Sequence, residues 1–322
     1  MKKSSFAVIL VFCMLLPLIF VSCKNDERIQ IFVPDGAPAL AVANIIESGK
    51  AGGYNVKVNI TTGADVTAKC SGVNPEADIA VLPTNAAVKI CSASGDYSIF
   101  TVNVWGLLYV LGWDNITDLS DLINKTVKSI GLGNTGEYLF KKILDEHNVS
   151  YADGGVHLEY VDDGSEAVGL LLNQKCDYAL VGEPAATNAV NRAKANGKTL
   201  YRVFNLQELW QQVTSKEITG YPQASVIVKK SLLSKQGFAD ALYNDLFQNN
   251  AYLAQNTERL KDLLLSAGST LNIDYTTDII EGCNLKTVKA YEVKQDIFDY
   301  LSQFKGPFAG LLKDELYYEF KG

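Results

Sequence analysis

The chain has 322 residues, of which 48% are hydrophobic and 20% charged, and its formal net charge is −7 at pH 7. This length favours two domains over one, and the apolar content is ample for packed cores. The acidic balance, with no basic stretch beyond the first few residues, argues against nucleic acid as a partner.

The N-terminal segment has the pattern of an export signal. Lys2 and Lys3 precede an apolar run over residues 6–21, which ends at Ser22-Cys23. The run is shorter than most membrane spans, so we predict a signal peptide over residues 1–22. The junction resembles that of bacterial lipoproteins, although Phe20 stands where such leaders usually carry Leu. This resemblance implies an exported protein, anchored by a lipid on Cys23 at the outer face of the cell membrane, or a periplasmic one. Plain secretion and an uncleaved anchor are the alternatives.

The remaining cysteines do not form a metal-binding pattern. Cys70, Cys91, Cys176 and Cys283 lie far apart in the sequence, and the chain has only two histidines. We therefore expect no structural zinc and no other metal site. An exported protein can form disulfides, and the sequence leaves their pairing open. Buried free thiols are the simpler interpretation.

The first element after the leader is a strand, a tight turn and a helix. Residues 28–33 alternate in polarity and predict a strand, whereas residues 39–47 favour a helix. Asp35, Gly36 and Ala37 form the turn between them. Such a turn directs unpaired N–H groups of the helix start beyond the carboxyl end of the strand, where α/β sheets bind small ligands. An ordinary strand-to-helix connection is the alternative.

Similar units recur along the chain and predict an α/β protein. We predict further strands at residues 55–61, 77–82, 126–130, 157–161, 177–181, 199–204 and 224–228, and helices at 65–71, 85–90, 137–147, 165–174, 184–195 and 205–213. Residues 100–113 predict one or two strands that pass between domains, and residues 231–321 are predicted to be mostly helical. Thr84 or Asn85 is expected to cap one helix, and Thr117 to cap a helical turn at residues 116–122.

Residues 131–136 read GLGNTG and match the letters of a dinucleotide-binding fingerprint. The match is weak because it does not follow the first strand and because the next strand lacks an acidic end for a ribose. We therefore expect no nucleotide and no other cofactor.

Five stretches, taken in their order, resemble the solute-binding lipoproteins of ABC importers in the nitrate, sulfonate, taurine and thiamine-precursor group. They are VPDGAPALAVANII, ADIAVLPTNAAVKI, ITDLSDLINKTVKSIGLGNTG, CDYALVGEPAATNAV and GYPQASVIVKKSLL, and they recur over essentially the whole mature chain. Asn124 stands where the family usually has a turn glycine. Asparagine tolerates a left-handed turn, so this departure is compatible with the fold.

The resemblance implies a periplasmic-binding-protein-like fold of type II, in which two α/β lobes joined by two crossovers enclose a ligand cleft. Lobe I would hold residues 24–104 and 222–322, and lobe II residues 105–221. The implied function is that of a monomeric, non-enzymatic protein that captures a small solute and delivers it to an ABC-transporter permease. An enzyme on the same fold, acting on a small heterocycle, is the alternative. The export signal and the lack of a nucleophile–base pair argue against it.

Turns from both lobes are predicted to converge on this cleft and to hold a solute through N–H groups, hydroxyls and amides. The candidate contacts are Asp35, Gly36, Ala37, Thr62, Gly63, Thr84 and Asn85 from lobe I, Asn134, Thr135 and Glu183 from lobe II, and Trp105 and Tyr221 at the crossovers. Each has an alternative role as a helix cap or a core residue. Helix N-termini favour an anion such as sulfonate or nitrate. Asp35 and Glu183 instead favour a neutral or amine-bearing solute such as an aminopyrimidine.

Overall fold

The computed structural model describes residues 28–130, 132, 135–161, 163–304 and 313–320. The predicted signal peptide over residues 1–22 and the predicted lipidation site Cys23 lie outside these ranges. Within them, no helix is both long enough and apolar enough to cross a membrane.

The strands of the described ranges form two separate sheets. In chain order they are β1 (Ile29–Pro34), β2 (Lys50–Ala51), β3 (Tyr54–Thr61), β4 (Ile79–Pro83), β5 (Tyr97–Val104), β6 (Leu108–Gly112), β7 (Thr126–Ile130), β8 (His157–Val161), β9 (Tyr178–Gly182), β10 (Tyr201–Asn205), β11 (Ala224–Lys229) and β12 (Leu285–Lys289). Seven strands form one sheet in the order β12-β5-β11-β4-β1-β3-β2, and five form the other in the order β10-β6-β9-β7-β8.

Helices follow most of the strands. They are α1 (Ala37–Leu40), α2 (Ala43–Ser48), α3 (Gly63–Lys69), α4 (Thr84–Ser94), α5 (Thr135–Glu146), α6 (Gly164–Leu172), α7 (Ala185–Ala195), α8 (Leu206–Thr214), α9 (Lys230–Leu233), α10 (Phe238–Gln255), α11 (Thr257–Ser266), α12 (Thr277–Gly282) and α13 (Lys294–Ser302), with 3₁₀ turns at Leu119–Leu122 and Asp314–Leu316.

The chain leaves the seven-stranded sheet once and returns to it once. It passes from β5 into β6 of the other sheet, and it comes back into β11 after α8. We call the seven-stranded sheet with its helices lobe I and the five-stranded sheet with its helices lobe II. The predicted α/β fold with two lobes is confirmed, while the boundaries at residues 104 and 221 stay a prediction.

Each sheet is mixed, with a parallel part built from strand–helix units. β1 pairs in parallel with β3 and β4, and β7 pairs in parallel with β8 and β9. The strands beside the crossovers run antiparallel, as β11 does against both β4 and β5. The carboxyl ends of the parallel strands, with the helix starts that follow them, therefore lie at one edge of each sheet.

The apolar core is continuous between the lobes. One cluster of buried side chains includes residues of both sheets, among them Trp105 and Tyr221 at the crossovers and Trp210 of α8. Further clusters belong to lobe I alone and to lobe II alone. The crossovers are thus packed into the core.

The predicted helix at residues 39–47 is wrong in its bounds. It begins earlier, at Ala37, and it is interrupted after Leu40 before α2 resumes at Ala43. Gly36 has φ of 88°, a value open to glycine, and it allows the helix to start directly after the strand. The interruption lies at Val42, whose φ is −129° and whose side chain is buried. Packing has overridden helix propensity here.

Two predicted helix caps are wrong. Pro83 occupies the cap position of α4, so Thr84 and Asn85 lie inside the helix. Asp118, not Thr117, caps the 3₁₀ turn at Leu119–Leu122, because its carboxylate accepts a hydrogen bond of 2.8 Å from the N–H of Ser120. A carboxylate and a hydroxyl can both cap, so the sequence alone does not choose between neighbours.

The largest omission is β12, within residues predicted to be mostly helical. It pairs antiparallel with β5 at the edge of the lobe I sheet. The short stretch Leu285–Lys289 has little strand signal of its own, and the exposed edge of β5 supplies the pairing. By contrast, Asn124 has the expected left-handed φ of 63°. The four cysteines are free thiols, as predicted, and Cys70, Cys91 and Cys283 are buried.

Candidate functional site

A cavity of about 280 Å³ lies between the two lobes. Its described lining residues are Pro83, Asn85, Leu108, Ile130, Thr135, Gly136, Leu180, Tyr221, Gln223 and Tyr300. Lobe I contributes the end of β4 and the start of α4. Lobe II contributes the start of β6, the end of β7, the middle of β9 and the start of α5. The second crossover and α13 close the cavity.

Two helix starts face each other across this cavity. Asn85 is the second residue of α4, and Thr135 is the first described residue of α5. In the sequence, α4 begins directly after β4, and α5 begins five residues after the end of β7. The first N–H groups of a helix have no partner within it, so this geometry offers donors and a partial positive charge from both lobes.

Aromatic rings form one wall of the cavity. Tyr221 and Tyr300 stack with their ring centroids 5.3 Å apart and their planes 22° apart. Trp210 lies edge-on to both rings, at 6.4 Å from Tyr221 and 5.9 Å from Tyr300. All three side chains are buried. The two tyrosines are therefore tightly packed, and they give the cavity an aromatic lining against which a planar molecule can pack.

The phenol groups of this wall are neutral at pH 7. Burial raises the pKa of Tyr221 and of Tyr300, and a hydrogen bond with the Thr135 side chain opposes the shift only in part for Tyr300. The Tyr221 hydroxyl lies 3.4 Å from Oε1 of Gln207, an oxygen that also accepts from the N–H of Leu108 at 3.0 Å. These bonds fix the ring of Tyr221 against the first strand of lobe II.

Gln223 places an amide without a partner at the cavity. Its main chain is fixed, because its N–H donates to Val104 at 2.9 Å and its carbonyl accepts from Thr84 at 2.9 Å. Its side-chain Oε1 is buried and has no hydrogen-bond partner among the described residues. A buried acceptor that lacks a partner costs about 1–3 kcal/mol. Native proteins rarely keep such a group without a reason, and a bound donor would satisfy it.

Three of the predicted contacts meet at this cavity, namely Asn85, Thr135 and Tyr221. The side chain of Asn85 accepts a hydrogen bond of 2.8 Å from the N–H of Ala86, and its amide nitrogen has no partner among the described residues. Asn85 therefore has an unused hydrogen-bond donor at the cavity.

Asp35 lies outside the described lining, and its carboxylate is fully engaged within lobe I. One oxygen accepts from the Gly36 N–H at 2.9 Å and from the Ser269 hydroxyl at 2.7 Å. The other accepts from the N–H of Thr270 at 2.7 Å and from its hydroxyl at 3.1 Å. Gly36 and Ala37 do not line the cavity either, and Ala37 is buried. The Asp35 carboxylate therefore connects the turn after β1 to the segment after α11 through hydrogen bonds.

Glu183 is also engaged within the protein. Its side chain is fully buried and forms an ion pair with Arg202. It also accepts from the Thr187 N–H at 3.2 Å and from the Thr187 hydroxyl at 2.9 Å. Glu183 is not among the described lining residues. The two carboxylates that favoured an amine-bearing solute therefore have partners of their own.

Thr84 and Trp105 are buried beside the cavity rather than in its described lining. The hydroxyl of Thr84 shares a hydrogen bond of 2.9 Å with that of Ser225. The indole N–H of Trp105 donates to the carbonyl of Lys286 at 2.9 Å, and its ring is 1% exposed. Both side chains serve the core here.

Thr62 and Gly63 begin α3, away from the described lining. Thr62 caps that helix, since its hydroxyl accepts from the N–H of Asp65 at 3.1 Å. Gly63 has nothing within 4 Å of the position that a Cβ would take. The predicted contact Asn134 lies outside the described residues.

Sequence reasoning missed Gln223 and Tyr300. Gln223 lies two residues after Tyr221 and could have been proposed from its place before β11. Tyr300 lies on α13, far along the chain from the other contacts, and nothing in its neighbourhood marks it. Leu108 begins β6 and Ile130 ends β7, whereas Leu180 lies in the middle of β9.

The described residues hold no cluster of three or more His, Cys, Asp or Glu side chains that could bind a metal ion. The described lining of the cavity contains no Lys, Arg, His, Asp or Glu. The described lining offers hydrogen-bonding groups, helix N-termini and aromatic rings instead.

Two α/β lobes joined by two crossovers, with helix starts of both lobes at the cavity between them, define the periplasmic-binding-protein-like fold of type II. No protein-family profile matches the chain, and no curated protein matches its sequence. Solved structures with the same fold are numerous.

An ABC transporter protein from Parabacteroides distasonis is 19% identical, with a TM-score of 0.74 over 92% of this chain and 100% of that one. The periplasmic aliphatic sulphonate binding protein SsuA from Escherichia coli is 11% identical, with a TM-score of 0.62 over 92% and 94% of the two chains. The periplasmic nitrate-binding protein NrtA from Synechocystis PCC 6803 is 14% identical, with a TM-score of 0.57 over 86% and 81%. At these identities the likeness establishes the fold, which confirms the predicted resemblance at that level.

Proposed function

We propose that this protein captures a small solute in the interlobe cavity and delivers it to the permease of an ABC transporter, without catalysis. The observation that supports this most is the cavity itself, which both lobes line and where the Gln223 side chain lacks a partner. The fold is shared with proteins named for binding sulphonate and nitrate and with an ABC transporter protein.

We further propose an uncharged, planar solute that carries an N–H or O–H donor. The described lining offers tyrosine rings, apolar side chains and the unpaired acceptor of Gln223, and it includes no basic side chain. A neutral aminopyrimidine fits this chemistry. A sulfonate or nitrate is the alternative, since the N-termini of α4 and α5 attract anions.

A solute panel tests the proposed class. Thermal melting would be measured with cytosine as the neutral planar probe, and with nitrate and ethanesulfonate as anionic probes. A ligand that binds only the native state raises the melting temperature by mass action. We expect cytosine to raise it and the two anions to leave it unchanged. Stabilisation by an anion alone would instead support the anionic alternative.

Gln223→Leu is expected to weaken solute binding and to raise the stability of the free protein. The substitution removes the acceptor that the solute would use, which should cost about tenfold in affinity. It also removes a buried polar atom without a partner, so the melting temperature without solute should rise. Calorimetric titration and thermal melting of the same sample would show the two opposite changes. A fall in stability with unchanged affinity would assign Gln223 a structural role.

Asn85→Ala and Thr135→Ala are each expected to weaken binding about tenfold, because each removes one hydrogen bond to a buried solute group. Thr62→Ala is the matched control, since Thr62 caps a helix away from the cavity. The control should lose about 1 kcal/mol of stability and none of the affinity. If Asn85→Ala and Thr135→Ala bound the solute as tightly as wild type and Thr62→Ala do, the solute site would lie elsewhere.

We propose that the mature chain is exported, monomeric and anchored through a lipid on Cys23. The basic start, the apolar run and the Ser22-Cys23 junction support the export and the anchor. Cys23→Ala is expected to release the protein from the membrane fraction of fractionated cells. Unchanged retention in the membrane would show that the anchor lies elsewhere.

A further inference from the structure

A second contact between the lobes lies beside the crossovers, outside the cavity lining. The C-terminal residue of α12, Gly282 of lobe I, meets the ends of β6 and β9 in lobe II. The Tyr109 hydroxyl donates to the Gly282 carbonyl at 2.9 Å. Burial raises the pKa of Tyr109 to about 12, so this donor keeps its proton at neutral pH.

Glu183 packs directly on Gly282. A Cβ atom built at Gly282 would lie 2.6 Å from Oε1 and 2.9 Å from Cγ of Glu183, closer than real Cβ atoms approach other atoms. Glycine is thus required by the approach of the two lobes.

The side chain of Glu183 is not free to move away from an atom added at Gly282. Arg202 and the N–H and hydroxyl of Thr187 hold its carboxylate, and the side chain is completely buried. The guanidinium of Arg202 also lies over the ring of Tyr109, 4.6 Å from its centroid. The same network therefore fixes both lobe II groups that meet Gly282.

The helix itself does not need this glycine. Gly282 lacks a left-handed φ, and it ends α12, where alanine is the better helix former. A substitution by alanine should leave lobe I folded and disturb only the contact with lobe II.

We propose that Tyr109, Glu183, Arg202 and Gly282 form an interlobe latch, which sets the angle between the lobes and so determines solute affinity without touching the solute. They are positioning residues. The consequence for affinity rests on the proposed function, because the cavity is lined from both lobes and changes shape with their angle. If a latch variant reduces the fraction of molecules whose lobes are closed, its apparent affinity for the solute falls in proportion to that fraction.

The test measures the interlobe angle without any solute. Spin labels would be placed at Asp153→Cys of lobe II and Gln236→Cys of lobe I, both exposed, in a Cys176→Ser background. The other cysteines of the described ranges are buried, so they should not take up label. Double electron–electron resonance spectroscopy then gives the distribution of distances between the two labels, and so between the lobes.

We expect Gly282→Ala to lengthen or broaden this distribution, and Tyr109→Phe to do so to a smaller extent. Gly169→Ala is the matched control, a helical glycine in α6 with nothing within 4 Å of its Cβ position, and should change nothing. Adding Glu183→Ala to Gly282→Ala removes the clash and should move the distribution back toward that of Glu183→Ala alone.

Unchanged distances in folded Gly282→Ala would overturn the latch. If that variant does not fold, the Tyr109→Phe distribution decides alone, and distances equal to wild type would overturn the proposal. Neither result depends on solute binding, so a failure of the latch is distinguishable from a failure of the proposed function.

Discussion

Gly220→Ala is expected to destabilise the protein by more than about 3 kcal/mol, which is the upper end of the usual cost of an added atom in a packed interior. Gly220 has φ of +105°, and a Cβ there would overlap the Trp105 carbonyl oxygen of the other crossover. That oxygen also accepts from the N–H of Tyr221 at 3.2 Å and from the Asn284 side chain at 2.6 Å. The two crossovers are joined at this point.

The matched control for Gly220 is Gly197→Ala. Gly197 has φ of +69° and nothing within 4 Å of its Cβ position, so alanine there meets only the backbone penalty of about 1–2 kcal/mol. Urea unfolding of both variants separates the clash from the backbone conformation. Equal losses of unfolding free energy would show that the crossovers tolerate the extra atom.

Arg202→Met is expected to destabilise the protein by about 3 kcal/mol near neutral pH, because it leaves the buried Glu183 carboxylate without its cation. Arg202 is partly exposed, whereas Glu183 is buried, so most of this loss belongs to the carboxylate. The exposed pair of Lys142 and Glu146 provides the control, and Lys142→Met should cost less than about 1 kcal/mol.

The Arg202→Met loss should be larger at about pH 8 than at about pH 5. Burial raises the pKa of Glu183, while Arg202 and the Thr187 hydrogen bonds lower it. Without Arg202 the folded-state pKa rises further above the unfolded value. The protonated carboxyl then stabilises the fold below the unfolded pKa, and this contribution is lost as the pH rises through the folded pKa. Unfolding free energies of wild type and variant across this range measure the difference, and a loss independent of pH would contradict it.

Local patterns in the sequence were sufficient to predict most of the strand–helix units. Alternating or continuous apolar runs predicted most strands to within a few residues, and the places of Asn85 and Thr135 after strands pointed to two residues that line the cavity. β12 was missed because its pairing with β5 depends on an edge that only the folded sheet presents.

Contacts between distant parts of the chain decided the rest of the site. Asp35 looks available in the sequence, yet Ser269 and Thr270, which lie far along the chain, satisfy its carboxylate. In the sequence, Glu183 looks equally free to bind a ligand. In the folded protein, Arg202 of β10 forms an ion pair with its carboxylate. Tyr300 enters the cavity from α13 and has no neighbour in sequence among the other lining residues. No local pattern carries such information.

Native mass spectrometry tests most directly whether the interlobe cavity holds a solute. Wild type and Asn85→Trp, whose indole would fill the cavity from the start of α4, would be incubated with a small-molecule extract of growth medium, dialysed and sprayed without denaturation. A bound small molecule should add mass to wild type and not to Asn85→Trp, with both proteins melting as folded. No added mass on wild type, or the same added mass on both proteins, would contradict a solute site in this cavity.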